Sequence, residues 1–193
     1  MAANKIVFDL ETQKSFEEVG GFGHNDKLKI SVIGLYSYNE DKYYCFTEDE
    51  VHKAGEMFQE ADLIIGYNIK SFDFEVLRPY LNYDVHQLPY CDIMVEVANV
   101  IGHRLKLDNL AQTNLGVGKT ADGLEALRMY KQGRIEELKK YCINDVKVTK
   151  DIYDYVLKHG KLKYKDYFDT KEINISFKEP EPKKPIARQT SLF

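Results

Sequence analysis

Residues 5–12 read KIVFDLET, Lys5 to Thr12. Ile6, Val7, Phe8 and Leu10 have the apolar, β-branched and aromatic character of a buried strand. Successive strand side chains point to opposite faces, so Asp9 and Glu11 emerge on the same one. Two partly desolvated carboxylates side by side repel each other, and the arrangement is unfavourable unless something positive lies between them.

Working outward, Gln13 to Lys27 is a polar, glycine-bearing loop. LKISVIGLYSY and KYYCF follow as two strands of a hairpin turning at Asn39-Glu40-Asp41. Thr47 and Glu50 have the spacing of a capping box, which predicts a helix through about Gln59. DLIIGYN predicts a short buried strand ending at Gly66, and the periodicity from Ser71 to Leu81 predicts a helix stopped near Pro79. LPYCDIM is a strand running into a helix, and LDNLAQTNLG is a helix ended by Gly116. A last long helix is expected from about Arg134 to Lys158. Its inward stripe is Leu138, Cys142, Val146, Thr149, Ile152, Tyr153 and Val156. This order predicts an α/β layer fold with a mixed central β-sheet flanked by helices. It occupies residues 1–174, with an unstructured tail, residues 175–193, that holds three of the five prolines.

The chain has 193 residues, a net charge of −4 and no tryptophan but fourteen tyrosines. Its length suits one well-buried domain. The acidic balance argues against bulk electrostatic binding of nucleic acid and leaves room for a local basic groove. Cys45, Cys91 and Cys142 lack metal-site spacing and read as small buried hydrophobes in a reducing compartment. No apolar run is long enough to span a bilayer, and MAANKIVFDLET has no signal-peptide pattern, so a cytoplasmic protein is expected.

Two more acids stand out. IIGYNIKSFDFEVL places Asp73 at a helix start, just after a buried strand and its turn. YCINDVKVTKDIYDY places Tyr141 and Asp145 four residues apart, on one helix face beside the apolar stripe. Singly, each has an ordinary explanation: a solvated loop acid, a charge at a helix N-terminus, an exposed helical pair. Together they offer a strand end with two acids, a helix start with one, and a helix face with an acid and a phenol.

In order and type, FDLET, YNIKSFDFEVL and YCINDV resemble the three motifs of the DEDD superfamily of 3′–5′ exonucleases, which has the ribonuclease H-like fold. The Tyr141-to-Asp145 spacing resembles its tyrosine subclass (DEDDy). The histidine that would mark the other subclass is replaced by Lys140. The second and third motifs are similar to those in the proofreading exonuclease domain of B-family DNA polymerases. The resemblance covers about residues 4–158.

It implies a two-metal phosphodiesterase using two divalent ions, Mg²⁺ or Mn²⁺, held about 3.5–4 Å apart. Hard cations prefer carboxylate oxygens, and several anionic ligands are needed to neutralise two of them. Carried over, Asp9 bridges both ions, Glu11 and Asp145 complete one, and Asp73 serves the other, while Tyr141 orients the attacking water. On this reading Asp9 and Glu11 tolerate each other because cations lie between them.

Candidate nucleic-acid contacts are Leu10 and Thr12 within the first motif and Tyr67, Asn68 and Phe72 around the second, although strand alternation turns Leu10 toward the core. His103, Arg104, Lys106 and Lys119 are candidate phosphate contacts. LGVGKT, Leu115 to Thr120, is not a phosphate loop, because Thr113 stands where a glycine is required and no strand leads into it.

The last five residues, Gln189-Thr190-Ser191-Leu192-Phe193, resemble the peptide by which bacterial replication and repair proteins bind the sliding clamp. Gln189, Leu192 and Phe193 are the candidate contacts, and Thr190 departs from the usual leucine. The expected function is a metal-dependent 3′–5′ exonuclease acting on single-stranded or frayed DNA 3′ ends, in replication or repair. The alternatives are an RNA 3′-end trimming exonuclease and a catalytically silent adaptor binding DNA and clamp.

Overall fold

The computed structural model describes residues 3–118 and 123–180. Strand β1 (Lys5–Thr12) is its central strand. On one side it pairs antiparallel with β2 (Ile30–Ser37), which pairs antiparallel with β3 (Lys42–Thr47). On the other it pairs parallel with β4 (Leu63–Gly66), and β4 pairs parallel with β5 (Tyr90–Asp92). The order β3-β2-β1-β4-β5 is the expected mixed sheet.

Side-chain parity on β1 divides the core. Ile6, Phe8 and Leu10 pack on one face with Phe58 of α1 (Val51–Glu60) and Phe74 of α2 (Asp73–Leu77). Val7 faces the other way. It joins Val97 of α3 (Ile93–Ile101), Leu110 of α4 (Leu107–Leu115), and Val146, Ile152 and Val156 of the 25-residue α6 (Ile135–His159). All seven residues of the expected stripe on α6 are buried. Asp9 and Glu11 therefore continue on the face that α6 covers.

α6 lies close to the sheet because of Gly34, the register partner of Asp9 on β2. A Cβ there would stand 3.0 Å from Cys142 Sγ and 3.1 Å from Val146 Cγ2. The Cys142 thiol donates to the Asp9 carbonyl oxygen at 3.5 Å, tying helix to strand beside the acids. All three cysteines are free thiols.

Several expectations are corrected. Thr47 stands at the N-cap, but its hydroxyl makes no capping bond: it donates to Asp49 Oδ1 at 2.5 Å, and the helix opens with a 3₁₀ turn over Glu48–Glu50 before α1 starts at Val51. The helix expected over 71–81 is shorter, with α2 giving way to a 3₁₀ turn over Arg78–Tyr80 at Pro79. Helix α5 (Gly123–Lys131) and the hairpin of β6 (Lys161–Lys165) and β7 (Thr170–Asn174) were not expected.

The packed chain also continues past the expected boundary at Asn174. Ile175 and Phe177 are buried, the Phe177 ring stacks on Tyr153 at 5.3 Å, and Glu179 accepts from the Tyr153 hydroxyl at 2.6 Å. Apolar area removed from water holds residues 175–179 down ahead of Pro180. Lys119 and the peptide bearing Gln189, Leu192 and Phe193 lie outside the described residues. Among the described residues, no helix is long and apolar enough to cross a membrane.

Candidate active site

Asp9 and Glu11 project from the end of β1, and α6 brings Tyr141 and Asp145 over them. One carboxylate oxygen each from Asp9, Glu11 and Asp145 lies within 4.8 Å of the others. Two acids from one strand and a third from a helix more than 130 residues away rarely converge this closely without a reason, because ionised carboxylates repel.

Their protonation shows the cost. Burial pushes the Asp9 carboxyl well above its ordinary range, and Asp73, Glu11 and Asp145 push it further. Glu11 is raised by burial, then by Asp145 and Asp73. Asp145 is pushed up to about 6, mainly by burial and further by Asp108 of α4, against hydrogen bonds from Tyr141 and Asn144 that favour its charge. The leading causes of these shifts are burial and neighbouring acids, with no basic side chain of the described residues among them.

Asp73 stands slightly apart. It opens α2, is almost fully buried, and lies outside the tight trio, yet it raises both Asp9 and Glu11. Its own carboxyl is pushed up to about 8 by burial, partly offset by hydrogen bonds from its own and the Leu10 backbone amides.

A divalent cation fits this donor set. The ligands on offer are all hard carboxylate oxygens, the type that Mg²⁺ and Mn²⁺ favour. Asp145 Oδ1 is buried without a hydrogen-bond partner among the described residues, the condition of a lone pair aimed at a cation rather than at a donor. Tyr141 is raised further above its ordinary range by burial and by Asp145, Glu11 and Asp9, so its phenol stays protonated and donates to Asp145.

The turn before Asp73 is set by a residue that the motifs did not reveal. Asp92, buried at the end of β5, accepts from the Asn68 amide at 2.8 Å and the Lys70 amide at 3.0 Å while capping α3 through the Met94 amide at 3.1 Å. It fixes Asn68 in the left-handed region at φ 65°. Gly34 is the other omission. A glycine inside an otherwise apolar strand was its only sequence signal, marking a close approach.

The candidate nucleic-acid contacts divide. Leu10 is buried in the core, but its edge lines a cleft of about 610 Å³ with Glu11, Thr12, Phe16 and Phe72. Thr12 donates to the Lys14 carbonyl at 3.0 Å, and Tyr67 donates to the Leu105 carbonyl at 2.9 Å, which holds its ring against the 103–107 loop. Asn68 accepts from the Ser71 hydroxyl at 2.7 Å. Phe72, half-buried, meets Phe16 edge-on at 6.0 Å, and Phe16 in turn contacts the exposed Phe22 at 4.5 Å. Phe16 and Phe22 come from the polar, glycine-bearing loop after β1, where no site residue was expected.

A family profile described as RNase H superfamily matches residues 6–157. The chain belongs to the RNase H superfamily. Its structure is similar to that of a family B DNA polymerase from the hyperthermophilic archaeon Pyrobaculum calidifontis, with a TM-score of 0.61 at 14% identity. The match covers 81% of this chain and 25% of the polymerase, so the chain spans a quarter of that protein's length. No curated protein matches it. Superfamily membership and the acidic cluster together imply a nuclease, and the RNase H-like sheet presents that cluster at the end of its central strand.

Proposed function

We propose that this protein is a metal-dependent 3′–5′ exonuclease of the DEDDy type. It removes nucleoside 5′-monophosphates from single-stranded or frayed DNA 3′ ends. The observation that carries the reading is the trio Asp9, Glu11 and Asp145, with ligand atoms within 4.8 Å and one buried oxygen lacking a donor. Asp9, Glu11, Asp145 and Asp73 would hold two Mg²⁺ or Mn²⁺ ions. When bound, these would acidify water and stabilise charge on the scissile phosphate.

The chain's own residues account for the rest of the mechanism. Tyr141, kept protonated against Asp145, hydrogen-bonds and orients the attacking water and does not serve as the base. The cleft beside Glu11 receives the terminal nucleotide, with Phe72 and Phe16 offering aromatic faces to bases and Thr12 and Asn68 offering polar contacts to the backbone. DNA is favoured over RNA by the motifs similar to polymerase proofreading domains and by the carboxy-terminal peptide. That peptide would tether the enzyme to a bacterial sliding clamp and raise its local concentration at DNA.

The test is digestion of matched DNA and RNA oligonucleotides blocked at either end, with Mg²⁺ and with Mn²⁺. Digestion of DNA from a free 3′ end by the wild type and not by Asp9→Ala is the expected result. Absence of digestion by both proteins would leave the silent-adaptor reading standing and end this one. Faster cleavage of RNA would move the substrate to the trimming class.

A further inference from the structure

Beyond the acid cluster, the groove does not end at Phe72. The cleft beside Glu11 shares Phe16 and Phe72 with a second cleft of about 490 Å³, and that one shares Arg104 with a third of about 580 Å³. One wall of the third cleft is the tip of the β6–β7 hairpin. Its other wall begins at Asp108, whose charge reaches Asp145. A continuous surface therefore leads from the acids round Arg104 to the hairpin.

Three features of this far end point to one kind of ligand. Tyr167 and Phe168, adjacent at the hairpin tip, are 98% and 93% exposed and take no part in the described core. Arg104, Lys106 and Lys165 line the approach, are exposed, and make no ion pair with a described residue. The hairpin is also held rigidly. Asn109 and Asn114 of α4 each pair with both backbone groups of a β6 residue: Asn109 with Lys165 at 2.8 and 2.8 Å, Asn114 with Lys163 at 2.6 and 2.8 Å. The tip is closed by the Asp166 amide donating to the Asp169 carbonyl at 2.8 Å and by Lys171 donating to Asp166. Exposed aromatic faces on an anchored hairpin, beside cations with no ion-pair partner among the described residues, are the ingredients of single-strand binding: stacking that tolerates any base, and charges that follow the phosphates.

We propose that the β6–β7 hairpin is a second grip on single-stranded nucleic acid. Bases upstream of the 3′ end stack on Tyr167 and Phe168 while Arg104, Lys106 and Lys165 hold the intervening phosphates. The direction of the strand rests on the exonuclease reading, but binding at the hairpin does not. Three cations with no ion-pair partner among the described residues favour a polyanion over an apolar protein partner.

The experiment uses the full chain carrying Asp9→Asn, so that bound strand survives, and titrates it with a dinucleotide and with a longer oligonucleotide, as DNA and as RNA. Tyr167→Ala with Phe168→Ala weakens the longer strand by about 10- to 100-fold, while the dinucleotide, confined to the acid end, is unaffected. Arg104, Lys106 and Lys165 together changed to alanine lower the slope of log K against log salt by about 2. Phe168→Trp retains affinity, and its fluorescence is quenched as the strand binds. Unchanged affinity in the double variant, or a tryptophan blind to the strand, overturns the proposal. If wild-type protein cuts no substrate yet binding depends on the hairpin, the exonuclease reading fails and the grip stands.

Discussion

The electrostatic cost of the acid cluster leads to a counter-intuitive expectation: removing one candidate ligand stabilises the protein when no metal is present. Asp145 is the suitable position because its shift has a size as well as a direction, from an ordinary 3.8 to about 6. A folded-state value above the unfolded one means stability is fully present below the unfolded value and is lost as pH rises through the folded one. In chelator at pH 7.5, ionised Asp145 therefore costs the folded state about 3 kcal/mol. Asp145→Asn removes that cost, keeps the shape, and still accepts from Tyr141.

For a domain of this size about 3 kcal/mol corresponds to a rise in Tm of about 6–12 °C. Near pH 4 the carboxyl is largely protonated in the fold and only partly ionised in the unfolded chain, so the advantage shrinks to about 0.5 kcal/mol. Adding Mn²⁺ reverses the ranking, since cation binding stabilises the wild type by mass action and the variant much less. Thermal melts of both proteins, at the two pH values, in chelator and in Mn²⁺, provide the measurement. A variant no more stable than wild type in chelator at pH 7.5, or an advantage equally large at pH 4, would refute the claim that these acids are held together against their charge.

Two further expectations follow from the same geometry. Tyr141→Phe keeps the ring and loses the hydroxyl donated to Asp145; kcat falls about 100-fold while the rise in Tm on adding Mn²⁺ is retained, separating an orienting role from metal binding. Gly34→Ala puts a methyl 3.0 Å from Cys142 Sγ and 3.1 Å from Val146 Cγ2. It destabilises the fold by about 1–3 kcal/mol in denaturant melts and lowers activity more than the Asp9-to-Glu11 strand alone would suggest, because α6 must move with Asp145 on it. Wild-type activity in Gly34→Ala would show that the spacing of helix and strand is immaterial.

The parts of this fold legible in sequence are those governed by short-range periodicity. Alternation in KIVFDLET placed Ile6, Phe8 and Leu10 on one face and the two acids on the other, and all seven residues of the stripe from Leu138 to Val156 are buried on α6, with Val148 added to them. The parts that escaped depend on partners distant in the chain. Gly34 matters only because Cys142 and Val146 arrive over it. Asp92 looked like the end of a short strand, and nothing local showed that its carboxylate collects the amides of Asn68 and Lys70. KLKYK does alternate, with Leu162 and Tyr164 buried, but β6 needs the two α4 asparagines to hold its backbone. Proline content suggested a tail from residue 175, whereas Ile175 and Phe177 find a pocket whose walls come from α6 and β6.

The site can exist only because the surrounding fold outweighs it. Four carboxyls with raised proton affinity are presented by β1, α2 and α6, and left alone each would move toward water. None of the three elements is free to do so. β1 is hydrogen-bonded on both sides and anchored by Phe8 between Phe58 and Phe74; α2 follows a turn clamped by Asp92; α6 is locked to the sheet at Gly34 and to the Asp9 carbonyl by Cys142. Rigid packing thus stores an unfavourable charge arrangement that a divalent cation would relieve, and relief by a cation in place of protons would make metal binding tighter near neutral pH than in acid. The same rigidity continues along α4, where Asp108 reaches the acids and Asn109 and Asn114 hold the hairpin, so a single helix links the place where a strand would be cut to the place where it would be gripped.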